Sequence, residues 1–372
     1  MKVLYGTMLL TFIIAYLSGR RLSPSNNPPY YERPQLWGYF AVAIIMSAVS
    51  GLRSYYIDTQ AYMANFEKLT YADPLLPRLW EIVLENRDFG FGILSQILRQ
   101  FTDDPQILIF TCALITNLLF IKVFYEYAEP FELAIFLYMA TDIYLSSMNG
   151  VRQYLASAIV FAGIKWLIEG KWKKFFLLVL LATTIHRSAI IMIPIYFLVR
   201  LPAWKKATVT GIILGVAGFF SLPYIFPQLE EFLGDNDLTK LYANNILNSD
   251  FGSGANYMWA VVALVPVVLA FISRHRLHQR WPDIDIIVNM SILNVFFYLI
   301  GTYSVVFARL NYYTLPFSVL LICFLSTHAY ERKTEKIFRF CVVILYFIFF
   351  WYWSSNQMHF VYKSDFLGIV VS

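Results

Sequence analysis

Residues 174–200 read KFFLLVLLATTIHRSAIIMIPIYFLVR, and the number of times this stretch crosses a bilayer decides the fold. A crossing takes roughly 20 apolar residues, so one tilted helix fits. The polar interruption Thr183-Thr184-Ile185-His186-Arg187-Ser188 equally allows two short helices that meet at the His-Arg pair. Ten further apolar runs lie at 3–19, 36–52, 105–125, 131–147, 152–168, 207–222, 257–273, 284–300, 309–328 and 337–354. Basic residues separate the two readings, because short cytoplasmic loops carry an excess of Lys and Arg. With two segments, 18 of the 29 Lys and Arg gather on the cytoplasmic side, among them Arg20, Arg21, Lys165, Lys171, Lys173, Lys174, Lys205, Arg274 and Lys336. With one, the clusters at 274–280 and 332–339 fall outside. The sequence therefore predicts an all-α polytopic integral membrane protein of about 12 transmembrane helices, a single domain over 1–372, with both termini outside. A straight helix of about 12 residues rises about 18 Å. His186 is thus expected below the outer surface, at a break that protein or water must cover.

The composition agrees. Hydrophobic residues make up 59% of the 372, charged residues 14%, and the mean hydropathy is +0.58; soluble domains hold about 45–50% and about 25%. Cys112, Cys323 and Cys341 lie in apolar runs without metal spacing and read as small core residues. The net charge of +5 is mild, and the absence of a long basic tract argues against a nucleic-acid partner. The first apolar run ends at Ser18-Gly19-Arg20-Arg21 without a small-x-small cleavage site and is expected to be a retained helix. Residues 23–34, rich in proline, read as a cytoplasmic turn. Two longer loops, 53–104 and 223–256, are expected outside. The first carries Asp88-Phe89-Gly90-Phe91-Gly92 and apolar residues to Leu98, too short to span and suited to an interfacial or re-entrant helix. The second, with Glu230, Glu231, Asp235 and Asp237, suits a lid or sugar contacts.

Arg53, Asp58, Arg152, His186 and Arg309 flank apolar runs, and this topology puts all five at the outer face. Ionisable groups held near lipid are functional candidates by default, although long basic side chains at helix ends also snorkel. Arginine grips phosphate oxygens with two parallel hydrogen bonds, and histidine can take a proton from a hydroxyl. Together they fit transfer from a lipid pyrophosphate to a hydroxyl acceptor. No His, Cys, Asp or Glu cluster has ligand spacing, so neither metal nor cofactor is expected. Each residue also has a plainer reading. His186 suits a core histidine capping a short helix, and Asp58 suits an N-cap for a helix over 59–68. Arg187, adjacent to His186, faces elsewhere. Asp142 suits a partner for an arginine or a proton path. Tyr154, Tyr312 and Tyr313 suit sugar stacking, where most other tyrosines suit interfacial belts. His275 and His278 sit in a basic loop and are expected to be solvated.

The order of these residues carries a resemblance. Arg53 is followed by Asp58-Thr59, Tyr62 and Phe66; Arg152-Gln153 opens a helix; Lys173 and Lys174 precede His186 and Ser188; Arg309 precedes Tyr312 and Tyr313. Over residues 50–330 this resembles the EpsG family of Wzy-like polysaccharide polymerases. One departure is Ile57, where the family commonly has Gly before the Asp. The resemblance implies a GT-C-like glycosyltransferase of the bacterial cytoplasmic (inner) membrane, active at the outer face. It would join oligosaccharide repeat units carried on undecaprenyl pyrophosphate into O-antigen, capsule or exopolysaccharide. Arg152 and Arg309 would then bind the donor pyrophosphate, and His186 would activate the acceptor hydroxyl. Arg53 and Asp58 would orient substrate or support those that do, with Gln153, Tyr154, Tyr312 and Tyr313 in the binding site. Implied partners are the lipid-linked oligosaccharide, membrane lipid, a chain-length regulator and a flippase. An O-antigen-type ligase is the nearest alternative. A flippase or transporter would want charges on both sides of the midplane and repeats; a membrane acyltransferase would take its donor thioester from the cytoplasmic side, opposite His186.

Overall fold

Within lipid a chain satisfies its backbone internally, and apolar runs answer that demand as helices. The computed structural model describes residues 2–24, 32–72, 74–206, 208–215, 217–218, 221, 256–302, 305–356 and 362–371. The expected loop 223–256 lies outside them except for Asn256. The described residues form an all-α protein with two short antiparallel ribbons, Ser23–Pro24 with Glu32–Arg33 and Tyr362–Ser364 with Ile369–Val371.

Among the described residues four helices are long and apolar enough to cross a membrane: Lys2–Gly19, Gln106–Tyr127, Ile284–Gly301 and Lys333–Ser355. A fifth results if Met258–Ile272 and Arg274–Arg280, bent by 78°, form one span. Their outward faces are apolar, with Leu9 and Leu345 each 63% exposed, as expected of a protein whose solvent is lipid. Other expected crossings are shorter because the helices break. The run 131–147 divides at Thr141-Asp142, where Asp142 takes φ +68. The run 152–168 divides at Gly163, and 174–200 divides at His186, whose backbone is extended (φ −150°, ψ 115°).

The chain forms two compact units, residues 1–194 with 330–372, and 195–329. In the first, α1 (Lys2–Gly19) and α2 (Leu36–Gly51) precede three short helices, α3 (Thr59–Glu67), α4 (Leu75–Glu85) and α5 (Phe89–Arg99). The sequence reading anticipated α5 and a helix at α3 but not α4, whose Leu76, Trp80 and Leu84 present one exposed apolar stripe, the form of a helix lying in an interface. Then come α6 (Gln106–Tyr127), α7 (Phe131–Ala140), α8 (Ile143–Asn149), α9 (Val151–Ala162), α10 (Ile164–Ile168), α11 (Trp172–Ile185), a 3-10 turn (Arg187–Ile191) and α12 (Met192–Val199), which runs on into the second unit. Helix α6 packs on α2 and α9, and α1 on α2 and α7.

Hydrogen bonds sort the two ends of this unit. At one end Tyr5 meets Ser354, Gln106 donates to the Gly51 carbonyl, and the C-terminal ribbon is tied to residues 52–55. At the other, the Gln35 N–H reaches the Ser18 carbonyl and Tyr125 reaches that of Pro34. In the second unit Asn289 donates to the Val199 and Leu201 carbonyls, and Trp259 stacks on Tyr298.

Candidate active site

Arg152 is the second residue of α9, so its side chain leaves the helix at the end where residues 52–55 gather. It is 42% exposed, and its Nη1 donates to Asp88 Oδ2 at 3.0 Å. Its guanidinium lies 6.0 Å from the Tyr62 ring centre and 5.7 Å from that of Phe91, which adds about 0.5–1 kcal/mol of cation–π attraction at an exposed site. Tyr62 comes from α3 and Phe91 from α5, and the two rings meet edge to face. A planar cation held by ring faces and one carboxylate, with an open edge, is preorganised for a phosphate.

Asp88 occupies the cap position of α5 yet makes no side-chain bond to its own helix. Its Oδ1 instead accepts from the backbone N–H of Arg187 at 3.1 Å. One carboxylate thereby joins α5, α9 and the break after α11. The approach depends on Gly90, where a Cβ would stand 2.2 Å from Thr184 Oγ1.

At the break, His186 turns its ring back on the chain. Nδ1 accepts from the Ser188 N–H at 3.3 Å and lies 2.8 Å from Ser188 Oγ, capping the 3-10 turn. Gln153 Nε2 donates to the same Ser188 Oγ at 3.2 Å. The neighbours Arg152 and Gln153 on α9 therefore brace both sides of the break, one through Asp88 to Arg187, the other to Ser188.

The remaining expected residues are distributed differently. Arg53, expected to orient substrate or support the residues that do, is 1% exposed. Its Nε donates to Thr59 Oγ1 at 2.9 Å, Nη2 to the Met148 carbonyl at 2.7 Å, and Nη1 to the Ser50 carbonyl. Burial lowers its pKa to about 10, leaving it charged near neutrality. It is a strut joining α2, α3 and α8, because a guanidinium spent on carbonyls cannot reach a ligand. Asp58 heads α3 as expected, but without a side-chain cap bond, and it is exposed. Ile57 before it adopts φ +39, so the turn keeps the left-handed backbone that a glycine would favour. Tyr154 and Tyr313, expected at sugars, are each 1% exposed; Tyr154 packs on Phe120. Both are core residues because their helix faces point inward. Arg309 is exposed and Tyr312 half-buried on a 3-10 turn (Arg309–Tyr313) in the second unit. Asp142 accepts from Ser146 Oγ, and its Oδ1 is buried without a hydrogen-bond partner.

Sequence reasoning missed Asp88 and Ser188 as members of the site. For Asp88 the available signal was an acidic residue at the head of a glycine-bearing amphipathic helix too short to cross a membrane; for Ser188, a small hydroxyl two residues after a histidine. Among the described residues no group of three or more His, Cys, Asp or Glu is placed to hold a metal ion. The family model described as EpsG family matches residues 36–364. No curated protein and no solved structure matches the chain.

Proposed function

From the chain's membership of the EpsG family, whose members are Wzy-like polymerases, we propose that it joins oligosaccharide repeat units carried on undecaprenyl pyrophosphate, at the outer face of the cytoplasmic membrane. The reaction moves a growing glycan from its lipid pyrophosphate to a hydroxyl of the next lipid-linked unit. The bond between the donor sugar C1 and the phosphate oxygen breaks, and its electron pair leaves on the pyrophosphate. The acceptor oxygen forms the new bond to C1 and loses its proton.

The observation that carries the reading is the Arg152 cradle beside the His186 break. Arg152 is held at its rear by Asp88, Tyr62 and Phe91 and supplies a fork for the leaving pyrophosphate, where charge develops. Exposed Asp58 is proposed as a contact for acceptor sugar hydroxyls. Gln153 acts on substrate through Ser188 and His186.

The test is the glycan of a deletion strain, paired with purified protein given lipid-linked repeat units. Single repeat units attached to lipid in the cell, and polymer formed in the tube, support the polymerase. Polymer left unattached to its final carrier means a ligase, and loss of all surface glycan means a flippase.

A further inference from the structure

We infer that the pair of helices α4 and α5 is a membrane-surface anchor whose partner is the bilayer itself, and that it sets the depth at which the Arg152 cradle meets a lipid-borne phosphate. The depth role rests on the polymerase reading; the anchor does not.

The 11 residues of α4 rise about 16 Å, too little to cross a bilayer, and they divide the helix into three sectors. Ile82 is buried against α5, where a Cβ on Gly92 would stand 2.8 Å from Ile82 Cγ2. Arg78, Glu81 and Glu85 make a polar sector, with Arg78 and Glu81 paired at 2.9 Å. Leu76, Trp80 and Leu84, spaced four apart and so on one face, are 77%, 64% and 70% exposed. Helix α5 extends this surface. Its Ile93 borders a groove of about 420 Å³ whose other walls are Leu76, Pro77, Leu79, Trp80 and Val83, without a polar side chain among them. One turn further along, Ile97 is exposed. The two helices thus present one apolar face, backed by the charged sector of α4.

The docking of α5 identifies what covers that face. Gly90 comes so close to Thr184 that no side chain fits between them. Thr184 stands on α11 with Leu177, Leu180 and Leu181, at the i, i+3, i+4 and i+7 spacing of a single helix face. Those three leucines are exposed, as a face turned to hydrocarbon is in a membrane protein. Helix α5 is therefore seated at the end of a lipid-facing stripe, beside the last residue of α11. The apolar face of α4 and α5 continues that stripe to where hydrocarbon gives way to headgroups. Trp80 suits that depth, since an indole has an apolar body and one N–H to keep wet. The Arg78–Glu81 pair, on another sector, stays in water. Anchor and cradle share a helix: Asp88 and Phe91, which hold Arg152, stand at the head of α5, so the depth of α4 in the bilayer is passed to the guanidinium.

Nitroxide labels read this depth without substrate. The full chain lacking Cys112, Cys323 and Cys341, in vesicles of phosphatidylethanolamine and phosphatidylglycerol, is labelled singly as Leu76→Cys, Leu84→Cys, Glu81→Cys or Glu85→Cys. Oxygen, which concentrates in hydrocarbon, should relax labels 76 and 84 more than a water-soluble nickel chelate does, and the order should reverse at 81 and 85. Labels 76 and 84 reached chiefly by the chelate would put the face in water. Labels reached by neither reagent would mean that a second copy or another protein covers it. Either result overturns the anchor.

Activity tests the depth role. Leu76→Ser with Leu84→Ser should keep the folded yield and cut polymerisation in vesicles by about tenfold, the effect of a misplaced binding group, whereas Leu76→Phe with Leu84→Phe should keep the wild-type rate. In detergent micelles, which wrap the helices without fixing their height, the serine pair and wild type should run at similar rates. Equal loss in both media, or no loss in vesicles, overturns the depth role. Wild-type protein that makes no polymer would sink the polymerase reading and the depth role with it, while the oxygen and nickel accessibilities still decide the anchor.

Discussion

Asp88 and Arg152, 64 residues apart in sequence, meet at 3.0 Å at the head of α9. With 17% of the Asp88 and 42% of the Arg152 side chain exposed, the pair is worth no more than about 1 kcal/mol to stability. Its value lies in geometry, since it aims the guanidinium and anchors the Arg187 backbone. Asp88→Ala should leave the melting temperature within a few degrees of wild type and cut polymerisation by tenfold or more, an effect of misplaced positioning. Arg152→Lys should also be impaired, because lysine keeps the charge but not the fork. Arg187→Ala retains the backbone N–H that Asp88 uses and should be milder than either. Full activity in Asp88→Ala, measured by product length and rate, would dissolve the link between this pair and function.

Gly90 sets how closely the short helix α5 approaches α11. A Cβ there meets Thr184 Oγ1 at 2.2 Å, Thr184 Cβ at 2.8 Å and its backbone carbon at 2.9 Å. Gly90→Ala should cost about 1–3 kcal/mol by overpacking and should lower activity, because Asp88 moves with α5. Adding Thr184→Gly removes two of the three clashes and should recover part of both losses, a coupling that distant sites do not show. Purely additive effects in stability and rate would mean that the contact does not govern the docking.

Ile57 holds φ +39 while 46% exposed. A left-handed backbone costs an L residue about 1–2 kcal/mol, and the branched side chain recovers little packing there. Ile57→Gly should therefore raise thermal stability, by about 1 kcal/mol after glycine's greater entropy loss. A lowered melting temperature would show that Ile57 contributes contacts outweighing its backbone strain.

Arg53 behaves as a strut in this account. Arg53→Ala would strand the Ser50 and Met148 carbonyls and Thr59 Oγ1 in the interior, at a cost of about 3 kcal/mol or more. The expected phenotype is loss of folded protein in detergent, with Arg53→Lys rescuing poorly because an ammonium spans fewer partners. A well-folded Arg53→Ala protein with only a raised KM would return Arg53 to the substrate site.

Much of this was legible in the chain, for identifiable reasons. The break at His186 shows because polar residues interrupt an otherwise continuous apolar run, and α5 shows because Phe89 to Leu98 is apolar but too short to cross. Arg152 and Asp58 sit where local pattern placed them, at helix heads. Burial was not legible. Hydropathy cannot separate a helix face turned to lipid from one turned to protein, so Tyr154 and Tyr313 looked available and lie in the core. Nor does local pattern reveal long-range partners. Nothing near Asp88 announces Arg152, and nothing near Arg53 announces the Met148 carbonyl 95 residues away.

The last prediction concerns sidedness, where the C-terminal ribbon provides an independent constraint. The Ser54 N–H reaches the Lys363 carbonyl at 2.8 Å, Tyr55 pairs with Lys363, and Ser364 Oγ donates to the Leu52 carbonyl. Residues near 54 and near 364 must therefore face the same compartment. Lys171 lies just before α11, at the opposite end of that helix from His186. Single cysteines at Gln60, Phe366 and Lys171, in a chain without Cys112, Cys323 and Cys341, divide the alternatives. All three positions are exposed. An impermeant thiol reagent added to intact cells should label positions 60 and 366, and position 171 only after the cells are opened. Labelling of 60 without 366 would contradict the docking of the ribbon. The inverse pattern, with 171 alone labelled from outside, would put Arg152 and His186 at the cytoplasmic face and remove the outer-face polymerase reading.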